Sequence, residues 1–334
     1  MEGHRLQTLG MVLLSVVLAG CQADAASRGT QPAGSWHHLG LDGQIVHAVI
    51  PERGGSLLAA AGPGVFRRSA TGSWTLLLRA PTVWSVAAAR DDRMIVAGDN
   101  QGYVHVSGDG GATWRQQLVS AAGVYAVTIQ PGHPNVLLAA GGGIYRSANF
   151  GRTWRRVHGI GSAAADAFAW APGNRRTVWA GSVATGSGGS VGIFVSHDAG
   201  FAWRPLTPPL PSPNGVMSLH ADPGSLIAGT MGFGAWRFVH RHWLAPSPAM
   251  APRTNHIAGL AAVPGRPAFL LAGSLTHGVY ITRDGGRHWS VWNGGLSPAD
   301  ARIVLAVAVA PDTHTVYAGT AHGLYTARLP VTTR

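Results

Sequence analysis

Along most of the chain, short apolar runs alternate with tight polar turns in a repeating order. A run such as Ile45-Val46-His47-Ala48-Val49 is followed by a turn and by a second apolar run that closes on Ala-Gly. Those pairs recur at Ala61-Gly62, Ala97-Gly98, Ala140-Gly141, Ala180-Gly181, Ala228-Gly229, Ala272-Gly273 and Ala318-Gly319. Glycine, an aliphatic and an aromatic come next, as in Gly64-Val65-Phe66, Gly143-Ile144-Tyr145, Gly192-Ile193-Phe194, Gly278-Val279-Tyr280 and Gly323-Leu324-Tyr325. Each unit is long enough for four short strands, A to D, and the repeat predicts seven such units. Tryptophan gives an independent count, with Trp74, Trp114, Trp154, Trp203, Trp243 and Trp289 at one position of successive units and Trp36 as the seventh.

Between strands C and D lies a polar octet. It reads Ser107-Gly108-Asp109-Gly110-Gly111-Ala112-Thr113-Trp114 and returns as Ser147-Ala148-Asn149-Phe150-Gly151-Arg152-Thr153-Trp154, with Asn for Asp. It returns again as Ser196-His197-Asp198-Ala199-Gly200-Phe201-Ala202-Trp203 and Thr282-Arg283-Asp284-Gly285-Gly286-Arg287-His288-Trp289. The carboxylate can turn back onto backbone N–H groups of its own turn, and the glycine tolerates a positive φ. The tryptophan then offers a large apolar plate at the start of strand D. The first unit keeps only Ser69-Ala70-Thr71-Gly72-Ser73-Trp74, and the fifth, Val239-His240-Arg241-His242-Trp243, has lost the acid.

These octets resemble the Asp-box, or bacterial neuraminidase (BNR), repeat of β-propellers such as sialidases, sortilin-type receptors and photosystem II stability/assembly factors. The resemblance implies an all-β chain: a single seven-bladed β-propeller of four-stranded blades, with the boxes structural rather than reactive. The seventh unit has no box and no strand D, and Ser35-Trp36-His37-His38-Leu39 is expected to supply that strand, closing the ring by pairing the chain ends. Successive antiparallel strands place the D-to-A and B-to-C loops on one face, the mouth, and the boxes on the other.

Composition narrows the function. The 334 residues carry 47 Gly and 21 Pro, as tight turns require, and only 12% charged side chains. Net charge is +11, and all 25 basic residues are arginine, a pattern that a GC-rich coding bias would give. No basic run exceeds a doublet (Arg67-Arg68, Arg155-Arg156, Arg175-Arg176), so nucleic-acid binding is not expected. Residues 6–20 form an apolar stretch of secretory length ending in Leu18-Ala19-Gly20-Cys21, which resembles the lipobox of bacterial lipoproteins. The expected organisation is a signal peptide over 1–20, a lipidated tether over 21–34 anchored through Cys21, and a propeller over 35–331. Such a chain would be exported, face outward from a bacterial membrane, and act as a monomer.

The candidate chemistry is sparse. A sialidase would need a glutamate beside its nucleophile, but the only glutamates are Glu2 and Glu52. A glycoside hydrolase of xyloglucanase type would need two facing aspartates, and Asp42, Asp99, Asp166 and Asp300 are placed on the loop face. His37-His38 and His240-x-His242 are the only close histidine sets, and no carboxylate or Cys joins them, so neither a metal nor any other cofactor is expected. His220, His256, His277 and His322 are placed near the blade tops. The long connections Ser182 to Val191, Thr207 to Gly215 and Ala245 to His256 would carry recognition, the last with Arg253 and Asn255. With Arg67 and Arg68 these residues form the candidate ligand surface. The reading is of a non-catalytic scaffold that binds a protein or glycan partner through its mouth, with the glycoside hydrolase as the alternative.

Overall fold

A computed structural model describes residues 34–158, 164–183, 191–211, 214–250 and 255–330. The expected signal peptide, Cys21, Arg253 and most of the Ser182 to Val191 connection lie outside the described residues. Seven four-stranded antiparallel sheets stand in a ring, a seven-bladed β-propeller. The A strands are Val46–Pro51, Val83–Ala88, Ala126–Ile129, Ala164–Trp170, Val216–Asp222, Ile257–Val263 and Val304–Val309. Each A strand touches the A strand of both neighbouring blades, so together they form the innermost circle. Blade 7 takes its outer strand from the N-terminal side: His37–Gly40 pairs antiparallel with Leu324–Arg328, His38 opposite Tyr325. The ring therefore closes by strand pairing and leaves no open edge between first and last blade.

Among the described residues the core is not one cluster but seven, each sandwiched between adjacent blades. This explains the Ala-Gly signature. A Cβ added at Gly98, Gly181, Gly273 or Gly319 would come within 2.5, 2.5, 2.9 and 2.9 Å of a methyl of Val124, Val216, Val304 and Val46 on the next blade. The glycine makes room for the aliphatic anchor that opens the following A strand. Pairing across strand C puts Ala60 and Ala140, not Gly62 and Gly141, at this position in blades 1 and 3. The Ala-Gly pair is two residues out of step in blade 1 and one in blade 3, and opposite Ala140 the anchor on blade 4 is a small one, Ala165.

The acidic octets are closed hydrogen-bond circuits. Ser107 Oγ donates to Asp109 Oδ1 at 2.7 Å and accepts from the N–H of Gly111 at 2.8 Å. Asp109 Oδ1 accepts from the Thr113 N–H at 2.9 Å, and the Trp114 indole donates to Gly111 O at 3.1 Å. The Asp198 turn repeats every one of these contacts, with Trp203 donating to Gly200 O at 3.2 Å. So does the Asp284 turn, with Trp289 donating to Gly286 O. The Asn149 turn keeps the serine and threonine contacts, but the buried Trp154 indole N–H has no hydrogen-bond partner.

Candidate functional site

One irregularity repeats around the inner circle. In six blades the pairing of strand A with strand B slips by one residue just after the first position, between Val46/Ala48, Val83/Ser85, Ala165/Ala167, Val216/Ser218, Ile257/Gly259 and Val304/Ala306. Blade 3 makes the same step at Tyr125, whose N–H donates to Ala140 O, opposite Ala126. The residue before each bulge is an anchor at most 1% exposed: Val46, Val83, Val124, Ala165, Val216, Ile257 and Val304. The bulged residues themselves are His47, Trp84, Tyr125, Asp166, Met217, Ala258 and Leu305, all partly exposed. Bulges recur at functional rims because they re-aim a side chain without breaking the sheet.

Three consecutive members of this ring interact. Trp84 and Tyr125 stack across the boundary of blades 2 and 3, ring centroids 4.7 Å apart and 13° from parallel. Trp84 lies under the mouth-face loops, since a Cβ at Gly123 would meet its ring at 2.3 Å. The Tyr125 phenol is raised above its ordinary pKa, first by burial and then by the nearby Asp166 charge. Asp166 is itself pushed up to about 7 by burial, and no hydrogen bond to its carboxyl offsets that burial among the described residues. On the far side of Trp84, His47 is held down to about 4 by burial, with a buried Nε2 lacking a hydrogen-bond partner. Buried polar groups left open in this way are uncommon and concentrate at functional sites.

The other three candidate carboxylates are otherwise engaged. Asp99 is 1% exposed; its Oδ1 accepts the N–H groups of Gln101 and Tyr103, both at 2.9 Å, and its Oδ2 lies 2.8 Å from His105 Nε2. Burial works to raise the Asp300 pKa, but contacts from Ser297, Thr320, Tyr325 and His322 outweigh it and hold the carboxyl below its ordinary value. Asp42 stands in solvent, 3.4 Å from His38 Nδ1. The fold thus brings none of Asp42, Asp99 and Asp300 into a pair with Asp166: two of them brace their own blades.

Several candidate ligand residues are also structural. Arg67 sits at the box end of Gly64–Arg68, not at the mouth, and forks onto Glu52 at 2.8 and 2.7 Å while donating to Gly110 O at 2.6 Å. It staples blade 1 to the octet of blade 2, as Arg146 staples blade 3 to Ala199 O of blade 4 at 2.9 Å. Arg68 is partly exposed at the same end. Asn255 is fully buried among Met250 O, Tyr280 OH and Ser274 Oγ. His277 bonds to Thr276 Oγ1, His322 to Asp300, and His256 is held below its ordinary pKa by burial with Nδ1 unpartnered. His220 lies toward the box face, 3.1 Å from Asp222, rather than at a blade top. His240 and His242 do not alternate along one strand: His240 occupies the hairpin turn at φ 47°.

No family model and no curated protein matches the chain. Solved structures do. The GH74 xyloglucanase of Xanthomonas campestris is similar with a TM-score of 0.68 at 18% identity, over 88% of this chain and 53% of that one. The GH74 enzyme of Niastella koreensis gives 0.64 at 16% identity, over 87% and 53%. The likeness is one of fold. The chain spans about half the length of each of these structures.

Proposed function

We propose that this propeller is a non-catalytic glycan-binding protein that takes a sugar chain at the inner ring of bulged residues on its mouth side. The observation that carries this reading is the Trp84–Tyr125 stack beside Asp166. A flat aromatic wall suits the apolar face of a pyranose ring, and an unpartnered carboxyl beside it suits sugar hydroxyls. His47, held neutral by burial, stands on the same circle with its buried Nε2 unpartnered. The likeness to a xyloglucanase favours a glycan over a protein partner, and the leader ending at Cys21 favours an exported, lipid-anchored setting.

Binding is preferred to hydrolysis because glycosidases of the common kind act through two carboxyl groups flanking the bond. Met217 and Tyr125 flank Asp166 on the ring, Asp99 is engaged by its own turn, and Asp300 by Thr320 and Tyr325 of its own blade. One observation favours the second reading: a carboxyl with a pKa near 7 is poised as a general acid. Titration calorimetry against a panel of neutral oligosaccharides, xyloglucan heptasaccharide included, tests both. Binding that weakens at least tenfold in Trp84→Ala, without release of reducing ends, supports the binding protein. Reducing-end release that disappears in Asp166→Asn establishes the hydrolase, and a panel in which nothing binds or turns over refutes both.

A further inference from the structure

In three of the four boxed blades the octet glycine is seated on the blade before it. A Cβ at Gly111 would lie 2.7 Å from Leu77 of blade 1, at Gly151 2.6 Å from Val106 of blade 2, and at Gly200 2.7 Å from Leu138 of blade 3. Blade 5 has no octet. A short hairpin turns there through His240 and Arg241, both at positive φ (47° and 62°). What the octet covers in blade 3 is therefore uncovered in blade 4. Leu138 pairs with Arg146, and the equivalent pair in blade 4 is Trp179 with Val195. Over that pair a cleft of about 300 Å³ opens, walled by blade 4 on one side and by Phe238 and Arg241 of blade 5 on the other.

The same rule holds where blade 1, whose octet is worn to Ser69–Ser73, follows blade 7. A smaller cleft of about 220 Å³ lies over Tyr317, which occupies the position of Leu138 and Trp179. Its lining contains the carboxylates Glu52 and Asp312. The cleft between blades 4 and 5 has the opposite character. Arg204 and Arg241 are exposed on its rim, and neither guanidinium has a hydrogen bond or ion pair among the described residues. The imidazole of His197, bonded through Nδ1 to Thr177 Oγ1, also lines it, and none of the lining residues is acidic.

We propose that this cleft is a second binding site, for a ligand that carries a carboxylate on a ring. The half-buried indole of Trp179 and the Phe238 ring supply apolar walls, and the two guanidiniums supply forked donors matched to a carboxylate. Such a carboxylate belongs to a uronic acid residue of an acidic glycan or to an aromatic acid, and the two sources separate by experiment. The site is distinct from the inner ring: it lies on the box face over Trp179 and Val195 of blade 4, where blade 5 lacks the octet.

The test titrates the full chain with digalacturonate and with benzoate, followed by calorimetry or by amide chemical shifts. One of the two acids should bind with a stoichiometry of one, and which one binds identifies the source. Affinity should fall at least tenfold in Arg204→Gln and in Arg241→Gln, both exposed and safe for folding. Trp179→Leu, which installs the residue blade 3 carries at that position, should also weaken it, while Trp84→Ala should leave it within twofold. Failure of both acids to bind, equal binding of the methyl esters, or unchanged affinity in both arginine variants would overturn the assignment.

Discussion

The box turns and the inner bulges both repeat around the ring, but they repeat different things. In the turns of Asp109, Asp198 and Asp284 the hydroxyl, carboxylate, glycine and indole contacts recur position for position, and every indole N–H finds its glycine carbonyl. At the bulges only the backbone step and its buried anchor recur, while the protruding residue changes from His47 to Trp84, Tyr125 and Asp166. Their electrostatics differ in sign as well. Burial works to raise the Asp284 carboxyl, but bonds from His288, Thr282 and Arg287 win and draw it down to about 2. Asp166 has no such compensation and rises to about 7. Repetition of side chains marks what builds the ring, and divergence on a repeated backbone marks where it is free to recognise something.

The largest expected effect belongs to the turns. Trp203, 5% exposed between blades 3 and 4, should cost about 3–5 kcal/mol on truncation to Ala, read from denaturant melts. Asp198→Ala orphans the Phe201 and Ala202 N–H groups and the Ser196 hydroxyl, and should cost about 1–3 kcal/mol with binding unchanged. A loss of ligand affinity in either variant, once refolded, would erase the division between the two regions.

Asp166→Asn should act in the opposite direction. With a folded pKa of about 7 against an ordinary 3.8, the folded state holds a proton that the unfolded chain releases. Wild-type stability therefore drops as pH rises from about 4 to about 7 and stays lower above that. The Asn variant should lack this drop and be more stable by about 1–3 kcal/mol at pH 8. The box carboxylates impose the reverse slope: stability present above about pH 4 is lost as pH falls through their depressed values. Melting curves from pH 2 to 9 for the two proteins separate these contributions, and coincident profiles above pH 4 would show that Asp166 is not held protonated. The smallest effect sharpens the comparison within the turns. Trp154→Phe should change stability by less than about 0.5 kcal/mol because its indole N–H is unpaired, whereas Trp203→Phe should cost about 1 kcal/mol.

The architecture was legible because its signals are local. The octet packs acid, glycine and tryptophan into eight residues, and the missing outer strand of the last unit pointed to the closure made by His37–Gly40. The site was far less legible. Trp84, Tyr125 and His47 sit inside apolar runs and read as strand filler, because a one-residue bulge leaves no composition signal. Only alignment of the units on the buried anchor, from Val46 to Val304, sets the bulged residues in one column. Asp300 and Arg67 misled for a related reason, since their partners Thr320 and Gly110 are brought in by strand and blade packing, whereas Asp99 is absorbed by the N–H groups of its own turn at Gln101 and Tyr103. The rim cleft was half visible, since the loss of the blade 5 acid was plain but the uncovering of Trp179 required the fold.

The most direct measurement is the dissociation constant of the best-binding neutral oligosaccharide for two variants side by side, Trp84→Ala at the inner ring and Asp198→Ala in a box turn. Recognition at the ring predicts at least tenfold weaker binding for Trp84→Ala and a value within twofold of wild type for Asp198→Ala. The reverse order, or equal losses in two equally folded proteins, would contradict it.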